Sequence, residues 1–95
     1  HNLAALRYAG DGVPSWSSEF DDWGRRALRA RDWDALLDFL DKAPAGRYAH
    51  PRTEHFAPLF VTMGAADAAG ELEAPQKSVI DGFWMGLAKR SVQFG

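Results

Sequence analysis

The sequence predicts a mixed α/β fold in which helices are followed by a C-terminal strand pair. Three observations carry this. Apolar residues recur at helical spacing from Phe20 to Met63, the period changes to two from Val79 onward, and Gly- and Pro-containing breaks separate the blocks. At 95 residues the chain has the length of one domain or part of one, with a modest core.

The opening "HNLAALRYAGDGVPSW" begins apolar, breaks at Gly10-Asp11-Gly12 and Pro14, and reads as a strand end or short helix followed by a loop. Ser17 and Ser18 then offer N-caps for a first helix, in which Phe20, Trp23, Ala27 and Leu28 form one apolar stripe. Opposite it lie Asp21, Asp22, Arg25, Arg26 and Arg29, acids in the first turn and bases in the last, the order the helix dipole favours. A solvated face outweighs an arginine-based anion site there.

A second helix is expected from Asp32, with Trp33, Leu36, Leu37 and Leu40 inward and Asp34, Asp38 and Asp41 outward. The aspartate row reads as solvated surface rather than a metal site. "KAPAG", Lys42 to Gly46, ends this helix through Pro and Gly.

Next comes "HPRTEHFAPLFVTMGAA", His50 to Ala66. Pro51 disfavours helical geometry at His50, and Thr53 can cap a third helix starting at Glu54. Phe56, Leu59, Phe60 and Met63 give that helix its apolar stripe, and Pro58 should restart or kink it. His50, Glu54 and His55 are thereby expected at a helix mouth. Two readings stay open: a hydrogen-bonded histidine beside a solvated Glu-His pair, or polar side chains aimed into a cavity where they do chemistry. A bare Glu-His pair is a weak motif, unlike H-E-x-x-H, whose spacing sets two ligands on one helix face.

"AADAAGELEAPQ" follows as a loop of small residues, Gly and Pro. From Val79 to Trp84 and from Ala88 to Phe94 side chains alternate, which predicts two strands joined by a turn near Met85 and Gly86.

The segment "HPRTEHFAPLFVTMGAA" resembles the C-terminal signature of class III extradiol ring-cleavage dioxygenases of the LigB-like superfamily, in the DOPA 4,5-dioxygenase-like branch, where H-P-T-x-E-H-F-x-P-L-x-V-x-x-G-A-A recurs. Three further pieces agree in order: "HNLAALR" with V-H-N-L-R, "EFDDWGRRAL" and "RDWDALLDF" with F-D-x-W and D-x-x-A-L-L-D-Y, and "KRSVQFG" with R-S-x-x-F-G. Arg52 and Thr53 depart from the usual Thr followed by Pro or Asp.

The resemblance implies that residues 1–95 are the C-terminal portion of a single LigB-like catalytic domain whose N-terminal part lies outside this chain. It implies one non-haem Fe(II), with Zn in some preparations, and O2-dependent cleavage of a catechol beside its hydroxyls to a semialdehyde. In related branches the last metal ligand is a glutamate nine residues before the Gly of the Gly-Ala pair, and here His55 stands nine before Gly64. His55 is thus the implied metal ligand, with Glu54 as alternative ligand or its supporting partner. His1 falls at an active-site histidine, either a ligand or the acid–base residue, of which the acid–base role is the one expected, and His50 is read as lining the substrate pocket. The family's first two metal histidines belong to the N-terminal part. The 95-residue chain alone is therefore expected to be inactive. The alternative is an inactive fragment or a metal-free α/β binding module that keeps the scaffold.

The resemblance implies as partners a small-molecule catechol, O2 and the missing part of the same polypeptide, with an oligomer open. A formal net charge of −2 offers no footprint for nucleic acid or an anionic membrane. No run approaches the roughly 20 apolar residues of a membrane span, and no leader opens the chain. The absence of cysteine removes disulfides and thiolate sites, so a cytoplasmic location is expected and histidines and carboxylates carry any chemistry. His1 in place of an initiator Met reads as a fragment or processed product.

Overall fold

Pro14, in extended conformation (φ −65°, ψ 148°), starts helix α1 (Ser15–Ala30). The computed structural model describes Asn2, residues 12–84 and residues 87–94. The expectation for "HNLAALRYAGDGVPSW" therefore falls largely outside the described residues, as do His1 and the Met85-Gly86 turn.

α1 begins two residues before the expected serine caps. The Pro14 carbonyl accepts the N–H groups of Ser17 and Ser18, and Ser18 Oγ donates to the Ser15 carbonyl, so neither serine is the N-cap. Asp21 and Asp22 consequently lie in the second turn, and the first turn carries no acid. The apolar stripe is as expected: Phe20, Ala27 and Leu28 are buried, and Trp23 packs against them.

The helix ends in a Schellman turn at Arg31, whose φ of 56° is left-handed. The Arg31 N–H donates to the Leu28 carbonyl and the Asp32 N–H to that of Ala27. Asp32 at once caps α2 (Trp33–Leu37), its Oδ1 accepting the Ala35 N–H at 3.2 Å. The expected second helix is in fact two. Asp38 (φ −100°, ψ 33°) interrupts it, and α3 (Phe39–Lys42) follows on a rotated face. Leu37 is therefore 62% exposed, against expectation, whereas Leu36 is fully buried and Phe39 turns inward.

Beyond Ala43, a left-handed Ala45 (φ 54°) feeds the short α4 (Gly46–Ala49). Gly46 lies so close to α3 that a Cβ there would run into the Phe39 and Leu40 carbonyl oxygens. Residues 51–56 then form turns rather than the start of a third helix. The Thr53 carbonyl accepts the N–H groups of Phe56 and Ala57, and α5 (Ala57–Ala68) begins there with Pro58 in its first turn. Pro58 thus starts the helix instead of kinking it, the position where its missing N–H costs nothing. α5 also runs through Ala65–Ala68, expected as loop, because alanines propagate a helix once it is nucleated.

Two strand pairs close the structure: β1 (Gln76–Ile80) with β4 (Ser91–Phe94), and β2 (Phe83–Trp84) with β3 (Leu87–Ala88), both antiparallel. Each expected strand is broken into two short pieces. Pairing of Trp84 with Leu87 sets the hairpin end where alternation placed it. A register shift between Ser78 and Ile80, and Gly82 at φ 105°, interrupt the first strand. The fold is thus mixed α/β, helices then C-terminal strands.

Two apolar clusters hold it. One joins Phe20, Phe39, Ala43 and Ala49, the other Ala27, Leu28, Leu36 and Met63, and Trp23, Phe56 and Phe60 pack against both. Val92 and Phe94 of β4 pack on the second cluster, which seats the hairpin on α1 and α2. Polar ties fix the same contact: Gln76 Nε2 donates to the Leu28 carbonyl, and Trp33 Nε1 to Glu73 Oε1 at 2.9 Å.

Candidate functional site

His50 ends α4. Its backbone (φ −133°, ψ 74°) is non-helical, as a residue before proline requires, and this turns its side chain into the first apolar cluster. Only 4% of His50 is exposed. Its ring centroid lies 5.0 Å from Phe20, 5.1 Å from Phe56 and 5.7 Å from Phe39. Burial first, and neighbouring positive charge including that of His55, push the imidazole pKa down to about 4. At neutral pH His50 is an uncharged ring in an aromatic box.

His55 is exposed, on the turn that leads to Ala57. Glu54 is exposed too, its Oε2 3.3 Å from the Arg52 guanidinium. The three residues expected at a helix mouth therefore stand ahead of the helix, on the connection from α4 to α5, and they separate by environment: His50 buried, Glu54 and His55 at the surface. His1 lies outside the described residues. Its neighbour Asn2 is buried and donates from Nδ2 to the Tyr48 carbonyl at 2.8 Å, which ties residue 2 to α4 two positions before His50.

His50 and His55 share one open cleft of about 630 Å³, within the range of small-molecule sites. Phe20, Leu28, Leu36, Phe56 and Leu59 give it an apolar wall, and the hairpin residues Leu87 and Arg90 form its far side. Arg90 also holds that wall in place: its Nε and Nη2 donate to the two carboxylate oxygens of Asp21 at 2.7 and 2.9 Å, and Nη1 to Ser78 Oγ at 3.0 Å. Asp21 is therefore not on a solvated face, as expected from the sequence; no local pattern could signal a partner 69 residues away. The remaining acids and bases of α1 do behave as a surface, with Asp22 paired to Arg25 and Arg26.

Among the described residues no three of His, Asp and Glu come together as a metal centre. The donors on the cleft fit a contribution to one rather than a whole site. His55, an exposed imidazole, and His50, surrounded by rings, both line the cleft, and Glu54, paired with Arg52, is the chain neighbour of His55. Among the described residues no helix is long and apolar enough to cross a membrane.

No family model matches the chain. It is 41% identical over 63 residues to a protein of Beta vulgaris named 4,5-DOPA dioxygenase extradiol, covering 66% of this chain and 24% of that relative. A protein of the same name from Portulaca grandiflora is 42% identical over 64 residues, again 66% of this chain and 24% of the relative. One from Escherichia coli K12 is 30% identical over 100 aligned positions, covering all of this chain and 35% of the relative. The chain thus spans about a quarter to a third of the length of these relatives. The signature around His50–Ala66 and the identities agree: this chain resembles the class III extradiol dioxygenases of the DOPA 4,5-dioxygenase-like branch over a portion of their length.

Proposed function

We propose that the chain is the C-terminal portion of a non-haem iron-dependent extradiol dioxygenase that opens a catecholic ring with O2 to a semialdehyde. One observation carries the reading furthest: His50 and His55, five residues apart on the connection from α4 to α5, line the same cleft, one neutral and buried, the other exposed.

In this reading His55 supplies one ligand to Fe(II), or Zn in some preparations, and the other ligands come from the remaining part of the same polypeptide. Glu54 supports that imidazole or takes its place. The bound ion would bring catecholate and O2 together as neighbours. His50, uncharged at neutral pH, lines the pocket for the aromatic substrate beside Phe20 and Phe56. His1 takes and returns a proton as the ring opens. Asn2, fixed to Tyr48, supports bringing the start of the chain to this side of the molecule.

The test is metal content and O2 uptake of the intact polypeptide with a catechol. Stoichiometric iron and uptake that vanishes on chelation support the reading. Catechol binding with neither metal nor uptake would instead leave a metal-free binding module.

A further inference from the structure

The end of the hairpin is built like an interior piece of a sheet, yet it stands uncovered. Val79 and Ile80 of β1 are each 56% exposed, and Phe83 and Trp84 of β2 are 41% and 52% exposed. Phe83 and Trp84 are consecutive in a strand and so face opposite sides, which puts exposed apolar surface on both faces of the ribbon. Lys89 Nζ, 5.3 Å from the Trp84 ring, shields one side of that ring only. Each sheet has two strands, so the outer backbone edge of β1 carries no strand among the described residues. A two-stranded ribbon is marginal by itself, and an apolar edge left open invites pairing. Strands apolar on both faces belong inside a larger sheet covered on both sides.

The relatives say what has the size to cover it: this chain accounts for 24% to 35% of their length. We propose that the ribbon end formed by Val79, Ile80, Phe83 and Trp84 is the face on which the remainder of the dioxygenase polypeptide packs, continuing the sheet along β1. This rests on the reading of the chain as one portion of a longer enzyme. A second copy fits less well, because edge pairing would leave both faces bare and face-to-face stacking would cover one.

Hydroxyl-radical footprinting of the intact wild-type polypeptide tests this, read by mass spectrometry at Phe83 and Trp84 against the denatured protein. Protection of tenfold or more, unchanged on hundredfold dilution, is the expected result. Labelling at half the denatured rate, in keeping with the exposure seen here, overturns the proposal. Protection that disappears on dilution also overturns it, in favour of a second copy. Neither readout needs metal or catalysis, so the outcomes separate from those of the enzymatic reading. Protected rings in a protein that binds no iron would keep this surface and remove the activity. Labelled rings in an iron-loaded, active enzyme would remove this surface alone.

Discussion

Arg90 grips Asp21 with two parallel hydrogen bonds, and both side chains are largely withdrawn from solvent, at 17% and 11% exposure. A guanidinium and a carboxylate matched fork to fork carry more than a surface ion pair. This one joins the C-terminal hairpin to the first helix and fixes the far wall of the histidine cleft. Asp21→Leu or Arg90→Met alone should each destabilise the protein by about 2–3 kcal/mol, because each leaves a partly buried charge alone. Asp21→Leu with Arg90→Met should recover most of that loss. Urea unfolding of the four proteins closes the cycle, and a coupling below about 0.5 kcal/mol would reduce the pair to surface decoration.

What the sequence made legible, and what it hid, divides by range. The α1 stripe, the Asp32 cap and the hairpin end near residues 84–87 all follow from side chains within a few positions of one another. The break at Asp38 does not: the run Trp33–Lys42 keeps helical periodicity throughout, and only packing against α1 decides that Leu37 turns out and Phe39 in. Likewise the start of α5 was displaced from Glu54 to Ala57 because Pro58 takes the first turn, leaving Glu54 and His55 on an exposed connection. Of the cleft, the segment carrying both histidines was legible as a motif. The wall opposite it was not, since Arg90 and Asp21 meet only through the tertiary fold.

The Asp38 break makes a sharp prediction about adjacent leucines. Leu36 is fully buried in the second cluster, whereas Leu37 is 62% exposed. Leu36→Ala should cost about 2–5 kcal/mol and Leu37→Ala within about 0.5 kcal/mol. Equal losses in thermal or urea unfolding would mean that α2 and α3 form one continuous helix.

The turn before α4 offers a second pair. Gly46→Ala pushes a Cβ into the Phe39 and Leu40 carbonyls, both backbone atoms that cannot step aside, and should cost about 1–3 kcal/mol. Ala45→Gly relieves a left-handed non-glycine residue and should be neutral or stabilise by up to about 1 kcal/mol. Denaturant midpoints of the two variants should therefore move in opposite directions, or one only.

Stability should depend on pH through His50. Its pKa falls from 6.5 to about 4 on folding, so the unfolded chain binds the proton first. The contribution is complete above pH 6.5 and is lost as pH falls from there through about 4. Asp22, held below its usual 3.8 chiefly by the hydrogen bond from Arg25, titrates below that window and does not mimic the effect. Melting curves between pH 7 and 4 should show the decline in the wild type and a flatter profile in His50→Gln. Parallel profiles would mean that another group carries the dependence.

On the proposed reading, the two cleft histidines should fail in different ways in the intact polypeptide. His55 sits on an exposed turn, so His55→Ala removes an imidazole without opening the core, and the fold should survive. If His55 is a metal ligand, that variant loses its iron and its activity together. His50 is the reverse case: it fills a box of three phenylalanines, and His50→Ala should leave a cavity and lower stability by several kcal/mol, about the range of large-to-small core changes. His50→Gln, which keeps more of the volume, should retain iron, raise KM for the catechol and leave the metal content of the purified protein near wild type. Metal analysis beside circular dichroism reads all three variants. Iron retained in His55→Ala would transfer the ligand role to Glu54, whose own variant, Glu54→Gln, would then have to lose the metal. Iron lost in His50→Gln with the fold intact would mean that the buried ring, rather than the exposed one, reaches the ion.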